Sequence, residues 1–326
     1  MLGLVSLTLL SCFLLTIGCK PRFTSVSSIE TSFLGIPVTL NLAVADLEES
    51  EQAVTLAVAE ILRLESKFNP LNPEGSLYML NNARSVTDPE FFMFLQQVSQ
   101  VSGMTNGGLN IFMGYLEQAY GFGRMFPSPP DPDLVSEILL PMRRASIQFT
   151  SERFQVSIPD DAFTVSLSGI QEGYVADQAL AHLVIAGLTN AMVQVGYHVA
   201  CGGSADGTGW PITIPHPESG DVVARLFVEN CGVAIASVAD QAYAYRGDIY
   251  YNHLDPDDGR PASSLILVTV VAPTCQLAAN LARGIFITGP EEGLSLLKEL
   301  PEVEGILLDP EGGMFISDSV FFQMES

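Results

Sequence analysis

Positive charge is what this 326-residue chain lacks most: 14 Lys and Arg stand against 37 Asp and Glu, a formal net charge of -23. A surface of that sign repels phosphate backbones, which excludes nucleic acid as a partner. An anionic ligand would need local compensation from a helix N-terminus, a metal ion or a well-placed Arg. Charged residues make up only 16% of the chain and hydrophobic ones 48%, which excludes a disordered segment. Absent too are CxxC pairs, HExxH, a P-loop and GxSxG, so no familiar motif announces a zinc site, a nucleotide triphosphate or a serine nucleophile. The Gly-rich stretch Gly202 to Gly207 has no strand-turn-helix context and reads as a loop. His182, His198, His216 and His253 are scattered, and each taken singly reads as structural.

What is present begins at the N-terminus. Residues 2–18 form an uncharged apolar run ending in Gly18-Cys19, the pattern of a signal peptide with a lipobox-like end. Residues 1–18 are therefore expected to be removed, Cys19 to be lipidated and residues 19–30 to serve as a polar tether. Residues 31–326 are expected to form one domain. Leu9 to Cys12 is a second cleavage box, and a retained anchor helix is the other reading of the run. In each case the body lies outside the cytoplasm, as a membrane-anchored lipoprotein on the periplasmic or extracytoplasmic face. The mature body keeps Cys201, Cys231 and Cys275, an odd number in apolar surroundings, read as buried thiols or as one disulfide and one thiol.

Periodicity supplies the outline of the fold. A strand is expected over Phe33 to Ala45, and apolar residues at helical spacing predict a helix over Glu49 to Phe68. Asp88-Pro89-Glu90 announces a second helix that stops at Gly103. Phe126 to Pro132 punctuates the chain as a loop. A hairpin-like pair around Ser146 to Ile158 and a helix over Gly173 to Ala186 follow, then strands at Ala191 to Val199, Val222 to Val228, Val233 to Ser237 and Leu265 to Val271. Thr274 caps a helix reaching Ile287. Strands and helices do not alternate regularly, which predicts an α+β fold rather than a doubly wound sheet.

A set of short segments carries the functional information, in this order: Leu34-Gly35-Ile36, Ser66-Lys67-Phe68, Ser76 to Asn81, Gly107 to Ile111, Tyr120 to Gly123, Ser166 to Asp177 (containing EGYVAD), Val195 to His198, Asp255 to Pro261 (DPDDGRP), Val268 to Pro273 (VTVVAP) and Phe286 to Pro290. From about Thr31 to the C-terminus this series resembles the ApbE family, the FAD:protein FMN transferases. The resemblance implies that family's α+β fold of mixed sheets with packed helices. It also implies binding of FAD, Mg2+ on the pyrophosphate, and transfer of FMN onto a Thr hydroxyl of an exported flavoprotein with release of AMP. Such chemistry depends on positioning and on neutralising charge at the phosphate oxygens.

Carried over by residue, Leu34 falls where the family has a Met against the cofactor, and Phe68 where it has a Tyr that stacks on the flavin. The segment Gly108, Leu109 and Asn110 and the residue Ser166 fall in cofactor-binding stretches, Asn110 and Ser166 replacing acids, and His198 replaces a third. Glu172 is placed near FAD, or else complements the dipole of the following helix. The metal site is the point of departure. The family's Thr or Ser ligand falls at Gly169, and its late-helix ligands fall at Ala279, Ala282 and Arg283. Mg2+ needs hard oxygen ligands, and none of these side chains supplies one. The candidates for catalytic work are Arg283 and His253. Two readings follow: a transferase that handles the phosphates through Arg283, whose guanidinium can contact phosphate in bidentate fashion, or a non-catalytic flavin-binding or accessory lipoprotein on the same scaffold. In a third, plainer account Arg283 snorkels from an apolar helix to solvent.

Overall fold

The computed structural model describes residues 26–44, 50–159 and 161–317. Cys12, Cys19 and the run of residues 2–18 expected to be a signal peptide lie outside the described residues. The first strand, β1 (Val26–Phe33), pairs with β2 (Ile36–Ala43) as a hairpin whose turn residues Leu34 and Gly35 both have positive φ, 49° and 80°. Two consecutive residues of that kind match the twist of antiparallel strands. The single strand expected over Phe33 to Ala45 is thus two strands, broken at Leu34-Gly35. Residues 26–30, expected in the tether, are paired in β1.

Eight strands form one antiparallel sheet in the order β1, β2, β6 (Ala191–Val195), β7 (His198–Gly202), β10 (Cys231–Ser237), β13 (Leu267–Ala272), β14 (Glu304–Leu308) and β15 (Met314–Ile316). The run expected as one strand from Ala191 to Val199 is the β6–β7 hairpin, turned at Gly196-Tyr197. Side chains alternate between two cores with the period of two that strands impose. Val193, Val195, Ala200, Ala234, Ala236, Val268 and Val270 face the helices. Met192, Val199, Cys201, Val233, Ile235 and Val271 face a ribbon of β8 (Trp210–Pro215) and β9 (Val222–Val228), which covers the second face with Trp210, Ile212, Ile214 and Leu226.

On the first face lie α6 (Gln171–Ile185) and α7 (Cys275–Thr288), with α1 (Glu51–Phe68) outside α6, α3 (Pro89–Met104) against α7, and α8 (Pro290–Glu299) beyond it. Eleven of the fourteen residues of α7 are buried, so this helix is covered on nearly all sides. The segment EGYVAD explains itself here. Gly173 lets α6 approach α7, since a Cβ on it would stand 2.6 Å from Cys275 O. Tyr174 donates its hydroxyl to Glu90 at 2.9 Å. Asp177 accepts the backbone N–H groups of Cys275 and Gln276, both at 2.9 Å, and so caps α7 from a neighbouring helix. Burial pushes its carboxyl up to about 6, against those two bonds.

Smaller elements complete the molecule: α2 (Ser76–Ala83), the three-stranded sheet of β3 (Ser85–Thr87), β5 (Gln155–Ser157) and β4 (Gln148–Thr150), and the hairpin of β11 (Tyr243–Tyr245) and β12 (Asp248–Tyr250). The Pro-rich stretch leads into α5 (Pro132–Met142), capped by Asp131. This helix packs with α4 (Gly114–Tyr120) around Leu116, Tyr120, Leu139 and Leu254.

Candidate functional site

A cleft of about 560 Å³ opens where the β1–β2 and β6–β7 turns, the end of β10, the loop 239–241, the pair Asn252-His253, the segment 168–172 and one face of α7 converge. Arg283 is the cation on its wall. Held in the body of α7 and only 9% exposed, it donates from Nη2 to Glu117 Oε1 at 3.1 Å. The other Glu117 oxygen accepts from Ser166 Oγ at 2.5 Å. Burial pushes the Glu117 carboxyl up, while Arg283 and Ser166 pull the other way. The guanidinium also lies over Gly169: a Cβ on that residue would stand 2.8 Å from Arg283 Nη1. Gly169 has φ +74°, a conformation that glycine adopts without strain. Gly at 169 and Arg at 283 are therefore sterically coupled, since a side chain at 169 would displace the guanidinium. Among the described residues no acceptor bonds Arg283 Nη1 or Nε.

Opposite stands an oriented imidazole. His253 Nε2 lies 2.8 Å from Asp240 Oδ2, and its ring stacks on Phe286 at 4.3 Å between centroids. Burial lowers the His253 pKa, with Arg283 and His198 acting in the same direction and Asp240 opposing. Burial also resists ionisation of Asp240, but its bond to His253 and the N–H of Ser237 bring it below the usual carboxylate range. A neutral imidazole beside an ionised carboxylate carries its proton on Nε2, leaving the lone pair on Nδ1. Nδ1 is buried without a partner.

The same is true of Glu172 Oε2, His198 Nδ1 and Asn252 Oδ1, all on cleft residues. Buried polar atoms are almost always paired, but Thr164, Gln171, Thr269, Gln276 and Asn280, none of which lines the cleft, carry such atoms too, so these four belong to the packing of the wall and do not by themselves mark a ligand. Ser168 Oγ, by contrast, accepts from Gln241 Nε2 at 2.9 Å and Asn252 Nδ2 at 3.3 Å, which ties three segments of the wall together.

The residues at the metal positions do not fit Mg2+. Gly169, Ala279 and Ala282, where the family resemblance expects ligands, bring no side-chain oxygen, and Arg283 on the same cleft brings a guanidinium rather than a ligand. Among the described residues no group of three or more His, Cys, Asp or Glu could hold a metal ion.

Of the residues singled out from sequence, the fold brings Gly169, Glu172, His198, His253, Ala279, Ala282 and Arg283 into the cleft. Leu34 sits at its rim beside Gly35, its N–H bonded to Glu65. Ser166 stands one layer behind, on Glu117. Two of the stretches expected to bind the cofactor lie away from this cleft. Phe68 is fully buried at the end of α1, edge-on to Phe94 at 5.0 Å and to Tyr174 at 6.0 Å. It belongs to the core, because the apolar face of α1 turns it toward α3 and α6. Gly108, Leu109 and Asn110 lie beyond the C-terminal half of α7, where Gly108 abuts Gly284 and Thr288. Leu109 and Asn110 line a separate cavity of about 340 Å³. Asn110 Oδ1 accepts the N–H of Phe112, a turn-forming bond. Asp240, Glu117 and Asn252 were not foreseen. Asn252 directly precedes His253 in sequence, but nothing local distinguishes Asp240 or Glu117.

Comparison with known proteins bears on the family and the fold. Residues 34–307 match the ApbE family. The FAD:protein FMN transferase of Vibrio cholerae is 30% identical over 210 residues, 62% of each chain, so that match spans somewhat less than two thirds of the relative. That of Haemophilus influenzae is 23% identical over 274 residues, 80% of this chain and 79% of the relative. Among solved structures, the ApbE protein of Thermotoga maritima superposes with a TM-score of 0.81 at 19% identity, covering 90% of this chain and 97% of that one. The flavin transferase ApbE of Vibrio cholerae gives 0.75 at 21% identity, covering 90% and 98%. At these identities the likeness in structure establishes the α+β fold.

Proposed function

Because the chain belongs to the ApbE family, we propose that its cleft binds FAD and that Arg283 provides, at the pyrophosphate, the fixed positive charge that a dissociable cation would otherwise provide. The observation that carries this reading is the seating of the Arg283 guanidinium over Gly169, with Nη1 and Nε left for a ligand. A planar guanidinium with free donors suits phosphate oxygens. The apolar stretch of the cleft beside Ile36, Val195 and Ile235 suits a flavin ring. Charge-assisted contacts of this kind contribute about 1.5–3 kcal/mol. Arg283→Ala is therefore expected to weaken FAD binding roughly tenfold to a hundredfold, with riboflavin, which has no phosphate, little affected. Equal losses for both ligands, or none for FAD, would sink the assignment.

A second reading adds transfer of FMN to a hydroxyl of a partner flavoprotein, and His253 favours it. With Nε2 held by Asp240, its Nδ1 lone pair, buried in the structure, would accept the hydroxyl proton as the oxygen attacks phosphorus once substrate entry uncovers it. AMP leaves as the P–O–P bridge breaks. His253→Asn is expected to abolish flavinylation of an acceptor while FAD binding stays within a few fold; transfer at an undiminished rate would leave a binding protein without catalysis. The acceptor would be an exported flavoprotein, and the chain would be held at the extracytoplasmic membrane face by lipid on Cys19. The run ending at Gly18-Cys19 supports that placement, and membrane fractionation checks it.

A further inference from the structure

The sheet carries a pair of thiols that the cleft does not use. Cys201 on β7 and Cys231 on β10 are register partners in neighbouring antiparallel strands, so their side chains leave the same face of the sheet. Ile235 N donates to Tyr197 O. Counting back by twos along this ladder makes Cys231 and Cys201 a hydrogen-bonded pair, whose Cα atoms stand about 5.5 Å apart. A disulfide spans about 4.4–6.8 Å between Cα atoms and about 3.5–4.5 Å between Cβ atoms; facing Cβ atoms of a hydrogen-bonded pair stand near the wide end of about 4.5–5.5 Å, so closing the bridge rotates both side chains and draws the two strands slightly together. Both cysteines are free thiols in the structure.

The two differ in access. Cys201 is buried beneath the β8–β9 ribbon, whereas Cys231 is half-buried and lines a cavity of about 690 Å³ beside Asn230, Pro273 and Glu302. The third thiol is not a competitor. Cys275 starts α7 on the opposite face of the sheet, fully buried, with its Sγ against Val233 O at 3.6 Å.

We propose that Cys201 and Cys231 are a redox-responsive pair that closes to a disulfide across β7 and β10, with Cys231 the thiol that meets the oxidant. The oxidant is a disulfide donor. The Cys231 thiolate attacks one donor sulfur, forming a mixed disulfide and releasing one donor thiolate; the Cys201 thiolate then attacks the Cys231 sulfur and releases the second. Two protein thiols are oxidised, one donor disulfide is reduced to two thiols, and the two protons lost by the cysteines end on those thiols. Burial pushes the Cys231 thiol up to about 11 and that of Cys201 well above its ordinary value, so closure is slow at neutral pH and quickens as pH rises. The bridge would fasten two strands whose other ends carry cleft residues, His198 on β7 and Ala236 on β10.

The test is to incubate the full folded chain with oxidised glutathione at pH 8, block free thiols with an alkylating agent and map peptides without reduction. The expected product is a Cys201–Cys231 linked peptide two hydrogens lighter than the thiol pair, with Cys275 alkylated only after unfolding and a Tm that rises and returns with dithiothreitol. In Cys201→Ser, or Cys201→Ala if that variant folds better, glutathione should stay on Cys231. A lasting glutathione adduct on Cys231 in the unaltered chain would overturn the proposal. So would a Cys231–Cys275 link, or no loss of the Cys231 thiol while circular dichroism shows the protein folded.

Discussion

Among the described residues, the cluster of charge between α1 and α3 and the one in the cleft are finished to different degrees. Between α1 and α3, Arg63 bonds Glu60 and Glu90 at 2.6 and 2.7 Å, and Lys67 bonds Asp88 and Glu90 at 2.7 and 2.5 Å. Ser76 and Tyr174 donate to the same acids, and Asp88 also accepts the N–H groups of Glu90 and Phe91 that begin α3. In the cleft, Arg283 makes one bond of 3.1 Å, and Glu172, His198, Asn252 and His253 each carry a buried atom without a partner. The contrast separates charge used to hold helices together from charge kept for a ligand. A network that satisfies itself has nothing left to offer, whereas a guanidinium on a cleft wall with donors not yet bonded does.

The comparison can be broken by striking the closed network. Asp88→Ala removes a helix cap and leaves Lys67, only 14% exposed in its side chain, short of one partner. A loss of about 2–4 kcal/mol is expected in chemical denaturation, with FAD affinity unchanged in the variant that remains folded. Should FAD affinity fall tenfold instead, the two clusters would be coupled and the division would be mistaken.

A smaller effect is expected in acid. Burial opposes the Glu90 charge, but Arg63, Lys67 and Tyr174 outweigh it and bring the pKa from 4.5 down to about 2. A depressed carboxylate pKa contributes stability that is present above pH 4.5 and lost as pH falls toward 2. With the carboxylate a quarter exposed, screening reduces the contribution to about 1–2 kcal/mol. Glu90→Gln should therefore lose less stability than the native chain between pH 5 and 2.5 in parallel urea titrations. Identical acid slopes would assign the acid sensitivity to other carboxylates.

Much of the frame was legible because it is local. The helices α1, α3, α6 and α7 announce themselves by spacing and by the caps Asp88 and Thr274. The β1–β2 and β6–β7 turns were hidden, since Leu34-Gly35 and Gly196-Tyr197 sit inside apolar runs that read as continuous strands. Helix α5 was hidden by its internal Pro141. In the site, Gly169 and Arg283 stood out through motif spacing, but their meaning is steric and appears only when α7 lies against the segment 168–172. Glu117 is 166 residues from Arg283, and no sequence window joins them. Phe68 shows the opposite case: its motif suggests the cleft, while the apolar face of α1 buries it in the core.

The claim that a fixed guanidinium serves in place of a bound ion is tested most directly by calorimetric titration of FAD into the native chain, once with EDTA and once with millimolar Mg2+. FAD is predicted to bind in both, with Kd values agreeing to within about threefold, a difference below roughly 0.7 kcal/mol. Binding that vanishes in EDTA and returns with Mg2+ would show that other oxygens hold a cation and would contradict the role given to Arg283.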